Sequence, residues 1–395
     1  MLSLRILRGA RTTALLRWAL VTAASAATGL LLLSALGYAL GHPEPITDAA
    51  VRLAWCVVPV VVTVRLAVVA ARAVPTGWPR TGLSSVGLGP IKVALLAATT
   101  TAVACGLGSG AALLVFLRLR GDLAGVPFDG AGSDGLGDGK PLPLAGTITL
   151  LSLVPVAAAA IGAAALWPAR GDRRTPPKRP APAAPAAPAT PATPAKPPQA
   201  PAGLPWGVAL TAVGLAIEVS APGGTPLPLP GGLGSITPAA VGGWIVTTVG
   251  MVMAGPGVVH ACGRLLAAFR PGALRMLAGR ALQEEARRLG RPLGVVSATA
   301  TAAFAAYHLH QEGGRPFGPL TSMAAVLIAV CVLATAATAI SETKRAREPS
   351  TTALRQLGAS PALLRTAVAL RVGVLLLVVL PLTAVIANLA TTPGR

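Results

Sequence analysis

Long apolar runs separated by short polar segments dominate this sequence. A transmembrane helix needs about 20 consecutive, mostly apolar residues, and most of the runs approach or exceed that length. Only 12% of the residues are charged, about half the share found in an ordinary globular domain. The pattern predicts an all-α, polytopic helical membrane protein with nine transmembrane spans. The spans are predicted at about 18–40, 50–71, 91–117, 142–167, 204–221, 239–263, 293–310, 319–341 and 372–390.

A Pro/Ala-rich tract interrupts the apolar runs between about Trp167 and Pro205. Regular proline removes backbone donors and favours extended polyproline II structure, so we predict a semi-rigid cytoplasmic linker. The predicted organisation is a first membrane half at 1–167 with four spans, the linker at 168–203, two connecting spans at 204–270, and a second half at 271–395 with three spans.

The two halves share a short pattern, L-x-x-(L/V)-G-x-x-P, at the cytoplasmic turn before a span. It is formed by Leu83, Val86, Gly87 and Pro90 in the first half, and by Leu354, Leu357, Gly358 and Pro361 in the second. Because the pattern recurs at the same point of each half, it indicates an internal duplication.

The distribution of charge predicts the orientation of the chain. A formal net charge of +20 would suggest nucleic-acid binding in a soluble protein, but cytoplasmic loops of membrane proteins are also rich in Lys and Arg. We therefore predict a multi-pass plasma-membrane protein with a cytoplasmic N-terminus, an external C-terminus and no nucleic-acid partner. In this orientation several acidic residues, including Glu218, lie outside the cell. The only basic residues predicted to lie outside are Arg52, Arg118, Arg120, Lys140, Arg315 and Arg395.

A charged segment between the last two apolar runs, from Ser341 to Arg371, is the most informative part of the sequence. Its basic character places it in the cytoplasm. We predict that it forms a short helix with a small apolar face of Ala353, Leu354 and Leu357, a turn, and a second helix that continues into the ninth span.

The residues of the turn favour this arrangement. Gly358 can end the first helix by adopting the left-handed conformation. Ser360 can cap the second helix, and Pro361 fits its first turn, where no amide hydrogen is needed. We call residues 354–361 the elbow.

A second cytoplasmic segment, Pro271 to Pro292, has the pattern of a basic amphipathic helix. Such helices bind anionic lipid at a membrane surface, and this one can also anchor the seventh span. The apolar face is predicted to contain Leu274, Leu277, Ala278, Ala281, Leu282 and Leu289.

The sequence shows no recognisable catalytic, cofactor-binding or metal-binding set. The loop Gly130–Pro141 departs from the phosphate-binding pattern, with Asp134 at the position of a glycine and Pro141 in place of Ser or Thr. His308 and His310 are two residues apart and point in different directions in a helix, so they do not suit one metal. The chain is therefore predicted not to be an enzyme.

The apolar runs also lack features of ion-driven transport. The cysteines at 56, 105, 262 and 331 lie within predicted spans without a common spacing and are interpreted as small apolar residues. Ionisable residues are nearly absent from the centres of the spans, which disfavours proton-coupled transport. Energy from a separate subunit is the remaining explanation.

The segment from Lys344 to Leu370 resembles the signature of FtsX-like (MacB-type) ABC transporter permeases. In that family a charged cytoplasmic stretch leads into L-R-x-L-G-A-S and the final spans. The matching positions are Leu354, Arg355, Leu357, Gly358, Ala359 and Ser360. The resemblance implies a permease that moves or extracts a substrate with energy from an ABC-type ATPase bound in trans at the cytoplasmic face. These residues, with Pro361, are the candidate coupling site, and a second permease copy is a candidate partner.

The sequence also departs from that family. Arg371 stands where a glutamate is common, Ser350 stands where an acidic residue is common, and the large extracytoplasmic domain is missing. These departures leave an alternative function open. In that alternative, the chain is a non-transporting membrane regulator that relays the state of an ATPase to envelope proteins.

Overall fold

The structure, a computed structural model, describes residues 2–41, 46–73, 90–121, 142–166, 203–220, 227–228, 235–268, 272–313, 318–356, 358 and 360–391. Within these ranges the chain is helical apart from one pair of two-residue strands. The helices are α1 (Leu2–Gly41), α2 (Ile46–Trp55), α3 (Val57–Ala73), α4 (Pro90–Arg120), α5 (Leu144–Leu166), α6 (Gly203–Ser220), α7 (Pro238–Ala268), α8 (Ala273–Gly313), α9 (Pro319–Gln356) and α10 (Pro361–Thr391).

The two short strands, β1 (Leu227–Pro228) and β2 (Ser235–Ile236), lie between α6 and α7. They pair antiparallel, with Leu227 opposite Ile236 and Pro228 opposite Ser235. The predicted linker at 168–203, apart from its last residue, the loop Gly130–Pro141 and the first copy of the shared pattern at 83–87 lie outside the described residues. The predicted duplication therefore stays a prediction.

Eight helical stretches are long and apolar enough to cross a bilayer, within the part of the chain that the structure describes. They coincide with eight of the predicted spans and indicate a membrane-embedded protein. The seventh predicted span, 293–310, lies within α8 and is not one of the eight, because Ser, Thr, Tyr and His residues lower its hydropathy. The count of nine is thus not confirmed.

The second predicted span consists of two helices separated at Cys56. Pro59 has no amide hydrogen and cannot donate to the Trp55 carbonyl group. The Cys56 amide donates to the Arg52 and Leu53 carbonyl oxygens at 3.3 and 3.1 Å, and the Val60 amide donates to the Cys56 carbonyl oxygen at 3.2 Å, so the helix resumes after the break. Together α2 and α3 still provide one apolar stretch, Thr47–Arg72.

The segment predicted to be a cytoplasmic amphipathic helix is the first part of α8. Gly279 lies against Gly263 and Ala267 of α7, and Gly290 lies against Gly255 and Pro256. This register shows that α8 runs antiparallel alongside α7, so the segment continues the axis of α8. Its predicted contact with anionic lipid stays a prediction. Of the predicted apolar face, Ala278 and Leu282 are buried in the protein, whereas Leu277 is exposed.

Packing divides the helices into two groups that do not follow their order in the sequence. Helices α1, α3, α4 and α5 pack together, and α9 joins them through Leu327 and Cys331. Helices α6, α7, α8 and α10 form the second group. Because α9 also packs against α8, it bridges the two groups.

Candidate functional site

The elbow begins where α9 ends, at Gln356. Gly358 has a φ of 89°, the left-handed conformation predicted for it. Its amide donates to the Arg355 carbonyl oxygen at 3.0 Å, which satisfies one of the free carbonyl groups at the helix end. The glycine therefore reverses the chain at low conformational cost.

The next helix starts with the predicted cap. The Leu363 amide donates to the Ser360 hydroxyl oxygen at 3.3 Å, and the Leu364 amide donates to the Ser360 carbonyl oxygen at 3.4 Å. Pro361 is the first residue of α10, where its missing amide hydrogen costs nothing. As predicted, α10 continues without interruption from the elbow into the last apolar run.

The prediction of a separate short helix before the elbow is wrong. Ala353 belongs to the last turns of α9, which runs without a break from Pro319 to Gln356. Most residues of the charged stretch after Ser341 are good helix formers, and the helix continues through Pro349, although proline cannot donate a backbone hydrogen bond. Both arms of the elbow are consequently continuous with candidate spans.

The elbow faces open space. Arg355, Gln356, Gly358, Ser360 and Pro361 are all exposed. Apart from its two neighbours in the chain, no described residue would have an atom within 4 Å of a Cβ atom placed on Gly358. Leu357, Ala359 and the side chain of Leu354 lie outside the described part of the molecule, so their predicted roles stay predictions.

The two arms of the elbow diverge from each other. Both α9 and α10 pack against α8, but they make no extensive contact with each other. Helix α9 also contacts α1 and α3, while α10 contacts α6 and α7. The elbow thus joins one helix of each group at a single exposed point.

An ionic contact connects α9, the first arm of the elbow, to α8. The Arg347 guanidinium of α9 forms an ion pair and hydrogen bond with the Glu285 carboxylate of α8. Both side chains are largely buried, with 26% and 12% of their surfaces exposed. Arg371 of α10 lies within electrostatic range of Arg347 and of Glu284. Sequence reasoning missed this junction, because its members come from three helices.

Glu218 is a further residue that sequence reasoning placed differently. Predicted at the external end of a span, it is buried between α6 and α7 with 5% of its surface exposed. One signal in the sequence could have indicated its importance, since Glu218 is the sole ionisable residue between Lys196 and His260.

The remaining candidate residues form no chemical site in the described ranges. No group of three or more His, Cys, Asp or Glu residues is close enough there to hold a metal ion. The His308 ring packs against the Phe304 ring at an angle of 59°, with 4.4 Å between the ring centroids, while the side chains of His310 and Glu312 are not among those described. Cys105, Cys262 and Cys331 are buried and Cys56 is half-buried, all as free thiols.

No protein-family model, curated protein or solved structure matches this chain.

Proposed function

We propose that the chain is an FtsX-like permease subunit of an ABC transporter, which moves or extracts a substrate with energy from a separate ATPase. The observation that carries this proposal is the exposed elbow, whose two arms are uninterrupted helices leading into candidate spans. A turn buried in the molecule could not be reached by a soluble motor. This one is accessible, and its glycine and serine fix the angle between the arms.

The packing of the arms supports a transmission role. Helix α9 contacts α1 and α3 of the first group, and α10 contacts α6, α7 and α8 of the second. A force on the elbow would therefore act on both groups at once. Helices transmit such a displacement with little loss because close-packed interfaces switch between discrete arrangements rather than deform continuously.

The chemistry around the elbow suits a partner with an acidic surface. Lys344, Arg345, Arg355 and Arg365 are exposed on the two arms, and Leu363 beside the cap is 43% exposed. Opposite charges steer association, while an exposed apolar side chain supplies a buried anchor in a complex. The same basic residues would lie next to anionic lipid at the cytoplasmic face of the plasma membrane.

The placement of the N-terminus on the cytoplasmic side belongs to the same proposal. The Arg17 guanidinium, at the start of the first apolar run, donates to the Ser341 hydroxyl oxygen at 3.5 Å. The beginning of that run and the elbow end of α9 therefore lie at the same end of the molecule. Basic residues concentrate there, as they do at cytoplasmic faces.

The proposal is tested by purifying the full chain from its native membranes and identifying the accompanying proteins. We expect an ABC-type ATPase subunit, recognisable by its phosphate-binding loop, and ATP hydrolysis by the complex in lipid nanodiscs. Repeated recovery of the chain without an ATP-hydrolysing polypeptide would contradict the proposal. In liposomes, a transporter should also hydrolyse ATP faster when its substrate is present, which a pure relay would not do.

A further inference from the structure

The carboxyl group of Glu218 occupies an unusual position for an ionisable group. It lies in the last turn of α6, within a candidate membrane span, and only 5% of the residue is exposed. Burying a carboxylate away from water without a cation is strongly unfavourable. Ionisable residues within membrane spans usually take part in function and have an identifiable partner.

Both helices of the α6–α7 pair form the surroundings of this carboxyl group. The Thr247 hydroxyl donates to Glu218 Oε1 at 3.3 Å, whereas Oε2 has no hydrogen-bond partner in the described residues. Gly243 leaves the space that the side chain needs. A Cβ atom at position 243 would lie 2.6 Å from Glu218 Cγ and 2.8 Å from the Gly214 carbonyl oxygen.

The described residues of the packed helices place no cation near this carboxyl group. No other residue of α6 is ionisable. His260 and Arg264 of α7 lie more than four turns beyond Gly243, at least roughly 25 Å along the helix. Arg365 and Arg371 of α10 are at that same distant end, because the next turn of α10 packs near Val259.

The described residues of the other neighbouring elements do not supply a cation either. The segment 221–236 between α6 and α7 contains no ionisable residue. Helix α8 packs on a different face of α7, and its His308 ring packs against Phe304 of the same helix. Helix α2, which contacts β1, carries Asp48 and Arg52, and the Arg52 guanidinium lies 3.5 Å from the centroid of the Tyr38 ring.

We propose that Glu218 and Thr247 form a proton-binding site that keeps the α6–α7 pair together. The carboxyl group takes one proton from water at that end of the pair and holds it on Oε2, while Oε1 accepts the Thr247 hydrogen bond. A metal cation fits this site less well. Ca²⁺, for example, requires six to eight oxygen ligands, whereas the side chains of Glu218 and Thr247 together supply three. Loss of the proton would place a charge between two helices in backbone contact and favour their separation.

The direction in which pH changes the stability of the α6–α7 pair follows from the burial of Glu218 in its neutral form. Because burial disfavours the charged form, the contribution of this group to stability is fully present in acid and is lost as the pH rises. The inference does not depend on the proposed transport function, since proton binding can be measured on the isolated chain.

The test compares the wild-type chain with Glu218→Gln in lipid nanodiscs from about pH 5 to about pH 9. Gln has the shape of the neutral acid but cannot lose a proton. We expect equal Tm values in acid, and a wild-type Tm that falls about 2–8 °C below that of the variant as the pH rises. Glu342→Gln, at an exposed position, serves as the matched control and should leave the pH profile unchanged.

Infrared spectroscopy supplies a second readout, because a protonated carboxyl group has a carbonyl stretching band that a carboxylate lacks. At neutral pH the band should be present in the wild type and absent from Glu218→Gln. If that variant does not fold, Thr247→Val should shift the same band by removing the hydrogen bond to Oε1. Parallel Tm profiles, an absent band, or a band unaffected by Thr247→Val would overturn the proposal. A Tm that depends on Na⁺ in the wild type but not in Glu218→Gln would instead identify a metal cation.

Discussion

Gly358 fixes the geometry of the elbow through its backbone rather than through packing. Its φ of 89° lies in the left-handed region, which residues with a Cβ atom adopt only at a cost of about 1–2 kcal/mol. Open space surrounds the position, so a substitution there changes the turn without creating a clash. A substitution at Gly358 therefore tests the backbone conformation of the turn separately from side-chain packing.

Gly358→Val should therefore uncouple ATP hydrolysis from function while leaving membrane insertion intact. Valine is β-branched and does not tolerate the left-handed conformation, whereas asparagine tolerates it. The matched control Gly358→Asn should retain most of the activity. ATP hydrolysis and substrate movement by the reconstituted complex provide the measurement, and full activity of Gly358→Val would count against the coupling role.

The Arg347–Glu285 pair should contribute to the stability of the junction between α8 and α9. Hydrogen bonds to charged groups contribute about 1.5–3 kcal/mol, and both side chains are mostly buried. We expect Arg347→Glu to lower the Tm, and the double variant Arg347→Glu with Glu285→Arg to recover much of the loss. A double variant no more stable than Arg347→Glu alone would show that the pair makes no net contribution.

At the scale of elements, glycine sets the distance between helices. Along α7, the residues that face α6 are Gly243, Thr247, Gly250, Ala254 and Gly257, which meet Glu218, Gly214, Thr211, Gly207 and Leu204. The alternating spacing of four and three residues is typical of left-handed helix packing. Small residues at these positions let the backbones approach closely, as in many membrane proteins.

Two glycines of α7 provide a matched test of this packing. A Cβ atom on Gly255 would overlap the Gly290 carbonyl oxygen of α8, whereas a Cβ atom on Gly242 would meet nothing within 4 Å. Alanine raises helix propensity by about 1 kcal/mol at either position, but overpacking costs about 1–3 kcal/mol. We expect Gly255→Ala to lower the Tm and Gly242→Ala to preserve or raise it. Equal effects of both substitutions would argue against close contact between α7 and α8.

The sequence could predict those features of the helices that depend on residues close together in the chain. The apolar runs predicted the eight apolar helical stretches, and glycine, serine and proline correctly predicted the left-handed turn and the helix cap of the elbow. The continuity of α9 was missed because the eighth span was predicted to end at 341, where the charged residues begin, although most of the residues that follow favour helix. The burial of Glu218 and its contact with Thr247 depend on how α6 and α7 pair, which the hydropathy of either helix does not specify.

At the scale of the whole molecule, the arrangement of helices differs from their order in the sequence. The pattern of runs suggested two successive halves, but α9 packs with α1 and α3 while α10 packs with α6, α7 and α8. Contacts such as Arg17 with Ser341 connect residues that are far apart in the chain. Neighbours of this kind are chosen by complementary surfaces, so single-sequence periodicity cannot identify them.

The proposed orientation predicts which ends of the helices face the cytoplasm. In a chain whose native cysteines are replaced by alanine, Ser360→Cys should react with a membrane-impermeant maleimide only after the cells are opened. Tyr307 lies near the end of α8 that is far from the elbow, and 53% of its surface is exposed. Tyr307→Cys should therefore react in intact cells. Labelling of Ser360→Cys in intact cells would reverse the proposed orientation.

The most direct test of the account places a photoreactive amino acid at Gln356 or Ser360, both exposed at the elbow, and irradiates the cells in which the chain is expressed. The account predicts covalent adducts between these positions and an ABC-type ATPase, and no such adduct from a probe at Tyr307. Two results would contradict this prediction. One is that the elbow probes form adducts only with lipid or with this chain, and the other is that a probe at Tyr307 forms as much adduct with the ATPase as the elbow probes do.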